Sequence, residues 1–461
     1  MENAAVAAEP SGSQMPNPEG SLPGRKAIGS QLSHGQRRKI LLLTDAFLPH
    51  AGGSREYYYN IYRELIALGK SEVRVLTKKV PGWQEFDRHA STGIFHIERR
   101  FKPLASWKYW ELPKGMGPFL QALWSVLKNS PDIIHAGDLY PQGLIAFALK
   151  KVFNIPYILY CHGEEITQTD CYRYQPRIRN MMYRTADAVI ANSEFAKQHL
   201  LRIGVPKQRI HKITPGVDSI RFQPGPPIPD LVRRYGLEGK TVILTVARLV
   251  PRKGHRASLK AFAKVCSEFP DAHYLIVGTG PEESRIRLQV EELGLQKRVT
   301  LAGFISGEQL PDLYNSCNIM LLANRQEANG DLEGFGIVFL EANAAGKPVV
   351  GGKSGGAVEA IEDGVTGYLV DPDNPDAIAA GLRRLLSDSS LRRILGTAGR
   401  KRSSEEYRWD ARAELLDLID RSILHTTKQV SMADSNSNRD RKSLCDHADH
   451  EPIAPGQVPH E

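Results

Sequence analysis

The chain has 461 residues, 41% of them apolar and 24% charged, with a formal net charge of +8. This composition excludes a fibrous or wholly disordered chain, and the length suffices for two domains of ordinary size. The positive balance fits either attraction to anions or a basic solvated surface, and the basic residues form no recognisable nucleic-acid module, so no nucleic acid is expected as a partner.

Residues 1 to 37 are rich in Ser, Pro and Gly and poor in apolar periodicity, which reads as a disordered tail. The stretch opens on an acidic residue and is broken by prolines, unlike a secretory signal. No apolar run reaches the ~18 residues of a membrane-spanning helix. The cysteines at 161, 171, 266, 317 and 445 stand singly, a usage that favours a reducing compartment, so a cytoplasmic location is expected.

From residue 38 onward, short β-branched runs alternate with helical patterns. The first series is "KILLLTD", a helix over 53–68, "VRVLT", "IFHIER", a helix over 117–129, "DIIHA", a helix over 141–152, "YILYC" and "AVIAN". A Pro/Gly-dense stretch, "PGVDSIRFQPGPPIPD", then reads as a link. The alternation restarts with "TVILTVA", a helix over 255–268, "HYLIVG", a helix over 281–294, "VTLAG", a helix over 307–316, "NIMLLA", a helix over 335–345, "KPVVGG", "GYLV" and a helix over 374–387. Continuous apolar strands separated by helix-length segments predict parallel sheets covered on both faces. The expected fold is α/β, with two facing Rossmann-like domains over 38–222 and 223–402. A helix over 403–424 and a disordered tail over 425–461 follow.

Three stretches at carboxyl ends of strands carry charge or glycine, and ligands of open α/β sheets bind there. Gly52 and Gly53 precede the first helix and suit either a phosphate facing a helix N-terminus or an ordinary connection. In "TVARLVPRKGH", Arg248 and Lys253 lie five residues apart and suit a diphosphate, or simply keep a loop soluble; Arg252 beside them reads as solvated. In "GDLEGFGIVFLEANAAGKPVVGG", Glu333 stands outside a helix start and Glu341 about two turns inside, up to ~12 Å apart along the axis. That span matches a nucleoside diphosphate sugar, one carboxylate accepting from the sugar and the other from the ribose. The alternative is an anion at a helix start and a solvent-facing glutamate.

The motifs "EGFGIVFLEANAAGKPVVGG", "RLVPRKG", "GTGPEE", "SGGAVEAIEDGVTGYLVDP" and "ANSEFAKQHL" together resemble the retaining GT-B-fold glycosyltransferases of glycosyltransferase family four, over roughly residues 38 to 424. The second half is similar to phosphatidylinositol mannosyltransferases. The resemblance implies that Arg248 and Lys253 hold the donor diphosphate, that Glu341 binds the ribose, and that Glu333 lies on the donor-sugar side. It further implies that the backbone of Phe335 and Gly336 approaches sugar and diphosphate, that Gly52 and Gly53 form the glycine loop of the acceptor domain, and that His162 in "LYCHGEEI" sits near an outer hydroxyl of the donor sugar. No metal or other cofactor is expected, since the nucleotide sugar is a substrate and cations neutralise its diphosphate. The implied reaction is sugar transfer with retention, with GDP-mannose the leading donor and UDP-sugars open. A nucleotide-sugar epimerase on the same fold and a non-catalytic sugar-nucleotide-binding subunit are the competing readings.

The expected acceptor is a glycan or a lipid-linked molecule. "RRFKPLASWKYWELPKG" mixes Arg99, Arg100, Lys102 and Lys108 with Phe101, Trp107, Tyr109 and Trp110, and "CYRYQPRIRNMMYRTAD" adds Arg173, Arg177, Arg179 and Arg184. Such a mixture suits peripheral contact with an anionic membrane surface, stacking on sugar rings, or an ordinary packed loop.

Overall fold

The computed structural model describes residues 37–50, 52–90, 95–101, 112–167 and 175–446, and these described residues group as one compact unit. The expected tail before residue 37 and the end of the expected tail after 446 lie outside the described residues.

Seven strands form the first sheet: β1 (Arg38–Leu43), β2 (Ser71–Lys78), β3 (His96–Phe101), β4 (Ile133–Ala136), β5 (Tyr157–Cys161), β6 (Ala188–Ala191) and β7 (Ile210–Lys212). They lie in the order β3-β2-β1-β4-β5-β6-β7, all parallel. Six form the second: β8 (Thr241–Val246), β9 (Ala272–Val277), β10 (Val299–Gly303), β11 (Ile319–Leu322), β12 (Val349–Gly352) and β13 (Gly367–Val370), in the parallel order β10-β9-β8-β11-β12-β13. The pleat sends Leu41 and Leu43 of β1 into one core and Ile40 and Leu42 into another. Both faces are therefore covered, which is why these strands read as unbroken apolar runs. The three-residue β7 is too short to register in the sequence.

Strand order reverses between β1 and β4 in the first sheet and between β8 and β11 in the second, and the crevices at these points open at the carboxyl edges. Six helices flank these crevices or brace the sheets: α1 (Gly53–Ala67), α2 (Leu112–Asn129), α3 (His255–Val265), α4 (Ile337–Ala344), α5 (Ser389–Glu406) and α6 (Trp409–Asp446).

The segment expected as one helix over 403–424 is divided. α5 ends at Glu406, and after Tyr407 and Arg408 the chain restarts as α6, which stays helical to Asp446. Helix thus extends over 425–446, where a disordered tail is expected from composition. α6 packs against α1 through Trp409, Ala413, Leu416 and Ile419, all in the core with Tyr57, Tyr58 and Tyr62. Sequence spacing puts Tyr407, Ala411, Leu415, Leu416, Leu418 and Ile419 on the apolar face of an amphipathic helix, but Ala411, Leu415 and Leu418 are exposed. Their place on the buried stripe is taken by Asp417 and Asp420. Both carboxylates have partners: Arg38 Nη2 lies 2.8 Å from Asp417, and His135 Nε2 lies 3.1 Å from Asp420.

Candidate active site

The loop after β8 carries Arg248, and the turn Pro251–Lys253 carries Arg252 and Lys253. Gly254 (φ 69°) closes that turn because a Cβ there would collide with the Ala323 carbonyl at the end of β11. α3 begins at once with His255, whose Nε2 lies 3.1 Å from the Arg248 carbonyl. Burial holds the His255 pKa down at about 4, so the ring is neutral; Nε2 donates to that carbonyl and pins the loop. The Arg248 side chain is exposed and makes no ion pair among the described residues. Its charge helps to depress His50 of the first domain, after burial and the cations Arg55 and Lys78.

Opposite, the loop after β11 delivers Glu333, 9% exposed. Lys253 Nζ and Arg252 Nη1 both contact its Oε2, the latter at 3.0 Å. Burial pushes the Glu333 carboxyl up, but Lys253 and Arg252 outweigh it and the net shift is downward. Lys253 is lowered, by burial first, with Glu333 opposing. Arg252 is therefore not the solvated residue expected: it is 8% exposed and its Nε lies 3.4 Å from Asp331.

Gly336 (φ 87°) turns the chain into α4, where a Cβ would strike the Phe339 ring at 2.7 Å. No side chain caps α4, so its first N–H groups remain available at the crevice. The Phe335 side chain is in the core beside Tyr407, leaving only its backbone at this turn. Glu341, half-buried, accepts a hydrogen bond of 2.9 Å from Tyr314 Oη. Burial raises its pKa to about 7, and Glu56 of α1 adds to the rise against Tyr314 and Arg221.

The first domain closes the other side. Gly53 begins α1, and a Cβ on it would stand 3.8 Å from Ile337 at the start of α4. Gly52 precedes it against the Arg55 side chain. His162 follows β5, and Gly334 fits against its carbonyl only because it has no Cβ. Tyr58 Oη contacts the Gly137 carbonyl and lies 2.6 Å from His162 Nε2. A carbonyl only accepts, so the tyrosine proton goes to Gly137 and His162 Nε2 must be the donor. Burial, with Arg55, lowers His162 to about 4, and the neutral ring is left with Nδ1 as an acceptor.

Arg248, Lys253, Glu333, Phe335, Gly336 and Glu341 thus gather on one carboxyl edge, with Gly52, Gly53 and His162 facing them. Sequence reading missed Tyr58, Tyr314, Glu56 and Asp331, which join the site through tertiary contacts and carry no motif.

Two family models match this chain in succession. "Glycosyltransferase Family 4" matches residues 51–221 and "Glycosyl transferases group 1" matches 229–402. A GDP-mannose-dependent alpha-(1-6)-phosphatidylinositol monomannoside mannosyltransferase of Mycolicibacterium smegmatis is 30% identical over 388 residues, covering 82% of this chain and 98% of the relative. The chain belongs to glycosyltransferase family four. A sulfoquinovosyl transferase of Arabidopsis thaliana is 25% identical over 388 residues, covering 81% of the glycosyltransferase and 71% of that relative. Among solved structures, a sucrose-phosphate synthase of Thermosynechococcus elongatus superposes with a TM-score of 0.71 at 23% identity, covering 85% of this enzyme and 100% of that chain. An Anabaena protein in complex with UDP and glucose gives 0.70 at 22%, covering 84% and 100%. These likenesses establish the GT-B fold, and the family decides for a glycosyltransferase over an epimerase or a non-catalytic subunit.

The basic-aromatic segments fare differently. Arg99 is buried and forks onto Asp87 at 2.8 and 2.9 Å, so it is not a surface cation. Arg179 is likewise buried, and Arg184 donates to the Ile203 carbonyl at 2.7 Å. Residues 102–111 and Arg173 lie outside the described residues. An exposed apolar stripe appears instead on α2, at Met116, Leu120, Trp124 and Leu127, with the Lys128 ammonium 4.7 Å from the Trp124 ring centre. No helix among the described residues is long and apolar enough to cross a membrane.

Proposed function

We propose that this glycosyltransferase moves mannose from GDP-mannose to a glycan or lipid-linked acceptor, with retention of configuration and without a metal. The observation that carries the reading is the exposed Arg248 guanidinium beside the Lys253–Glu333 pair and the uncapped start of α4, facing neutral His162. A cation pair and a helix N-terminus suit the charge that develops on a departing diphosphate. The name of the mycobacterial relative supports mannose and GDP.

In the proposed reaction the bond from the sugar's anomeric carbon to the diphosphate oxygen breaks while Arg248 and Lys253 take up the developing charge. The acceptor hydroxyl oxygen bonds to that carbon on the same face, and its proton passes to a leaving phosphate oxygen. No protein nucleophile is required, so the residues act by positioning. Glu341 accepts from ribose hydroxyls, Glu333 stands by the sugar, and His162 Nδ1 accepts from a sugar hydroxyl. The α2 stripe is the surface we assign to peripheral contact with an anionic membrane carrying a lipid-linked acceptor.

The test is GDP release from GDP-mannose in chelator, with NMR of the anomeric configuration of the product. Turnover of UDP-sugars alone transfers the reading to a UDP donor, an inverted anomer overturns retention, and activity restored only by magnesium overturns the metal-free mechanism.

A further inference from the structure

Lys253 and Arg252 converge on the same carboxylate oxygen of Glu333. If Lys253 serves a diphosphate, it must leave that oxygen, and a buried carboxylate without a partner is costly. Arg252 is built to remain: its guanidinium reaches Glu333 at 3.0 Å through Nη1 and Asp331 at 3.4 Å through Nε, and its carbonyl accepts from Arg325 N at 2.8 Å. Nine-tenths of the side chain is out of solvent, whereas Arg248 is exposed. The planar fork bridges two acids, which a single ammonium point cannot do.

We propose that Arg252 is a positioning residue that keeps the Glu333 carboxylate ionised and in place while Lys253 exchanges it for a phosphate oxygen of the donor. The proposal rests on the donor-site reading and adds a role for a residue outside the Arg248, Lys253, Glu333, Glu341 set. Arg252 acts through Glu333 and not on the phosphate itself. Without it, Lys253 is held to Glu333 and the nucleotide must pull the pair apart.

Calorimetric titration of the full-length protein with GDP, in parallel with UDP, tests this without depending on turnover. Arg252→Gln is expected to weaken nucleoside diphosphate binding about tenfold, and Arg252→Lys, which keeps a charge but cannot bridge both Glu333 and Asp331, to recover only part of it. In a Glu333→Gln background Arg252→Gln is expected to cost less than about twofold, because the carboxylate it serves is gone. An equal loss in both backgrounds means that Arg252 grips the phosphate directly and overturns the proposal. No loss in either background overturns it too, as does a lowered melting temperature with unchanged affinity. A parent protein that binds neither nucleotide defeats the donor-site reading first, a result separate from any of these.

Discussion

Tyr58 and His162 share a 2.6 Å hydrogen bond in which the imidazole is the donor, because the Tyr58 hydroxyl also contacts the Gly137 carbonyl. One tyrosine on α1 thereby fixes which nitrogen of a histidine on another element faces the crevice. Tyr58→Phe removes the acceptor and leaves a buried imidazole N–H unpaired, at about 1–3 kcal/mol. The ring is then free to turn or change tautomer. Turnover of GDP-mannose is expected to fall roughly tenfold with the donor Michaelis constant little changed. Parent-like kinetics in this variant rule out the tautomer lock.

The two glutamates should separate kinetically. In the proposed donor site Glu341 serves the ribose, remote from the breaking bond, so Glu341→Ala is expected mainly to raise the donor Michaelis constant, by about 1.5–3 kcal/mol. Glu333→Ala is expected mainly to lower turnover, since the sugar ring gains positive charge in the transition state. Glu333→Gln should recover only part. Wild-type kinetics in both alanine variants would falsify the donor-site reading.

Glu341 also predicts a pH dependence. Its carboxyl ionises near 4.5 when unfolded and at about 7 in the fold, so between these values the folded chain holds the extra proton. Stability from this group is present below 4.5 and is lost as pH rises through about 7. Glu341→Gln cannot ionise, so its melting temperature relative to the parent should rise between pH 5 and pH 8, as thermal melts at about these two values would show. If Glu341 accepts from the donor as proposed, donor affinity should move oppositely in the parent, weakening as pH falls through about 7 and this carboxylate is protonated.

Asp417 of α6 is 1% exposed and pairs with Arg38, itself 9% exposed. Asp417→Ala removes one charged partner of the buried guanidinium, which keeps Asp420 at 3.4 Å and Ser71 Oγ at 2.7 Å, and should cost about 1.5–3 kcal/mol in urea unfolding. Among the described residues, truncation after 429 spares every buried position of α6, whereas truncation after 402 removes them all. The shorter chain is expected to be insoluble and the longer one to keep the parent's melting temperature; equal behaviour defeats this account of α6.

The α2 stripe predicts binding to vesicles of anionic phospholipid. Glutamate at both Leu120 and Leu127, which are 53% and 64% exposed, should reduce co-sedimentation by roughly tenfold or more while leaving GDP affinity intact. Unchanged co-sedimentation removes α2 as the contact.

The sequence determined what depends on local order. Unbroken apolar runs dictated two parallel sheets, the Pro/Gly stretch between Lys212 and Thr241 marked where they part, and glycines such as Gly254 and Gly336 stood where φ is positive. Arg248, Lys253, Glu333 and Glu341 were legible as candidates because each lies within a few residues of a strand end or helix start, and carboxyl edges collect ligands. What only the tertiary structure decided are the partners of charge. Arg252 looks like any loop cation until folding brings Asp331 and Glu333 against it from about 80 residues away, and Arg99 looks like a surface cation until Asp87 closes on it. The stripe of α6 is illegible for the same reason. A hydrophobic pattern counts Asp417 and Asp420 as solvent-facing, but Arg38 and His135, distant in sequence, offset the cost of burying them. Solvation is a property of the environment a side chain ends up in, and that environment is assembled by the fold.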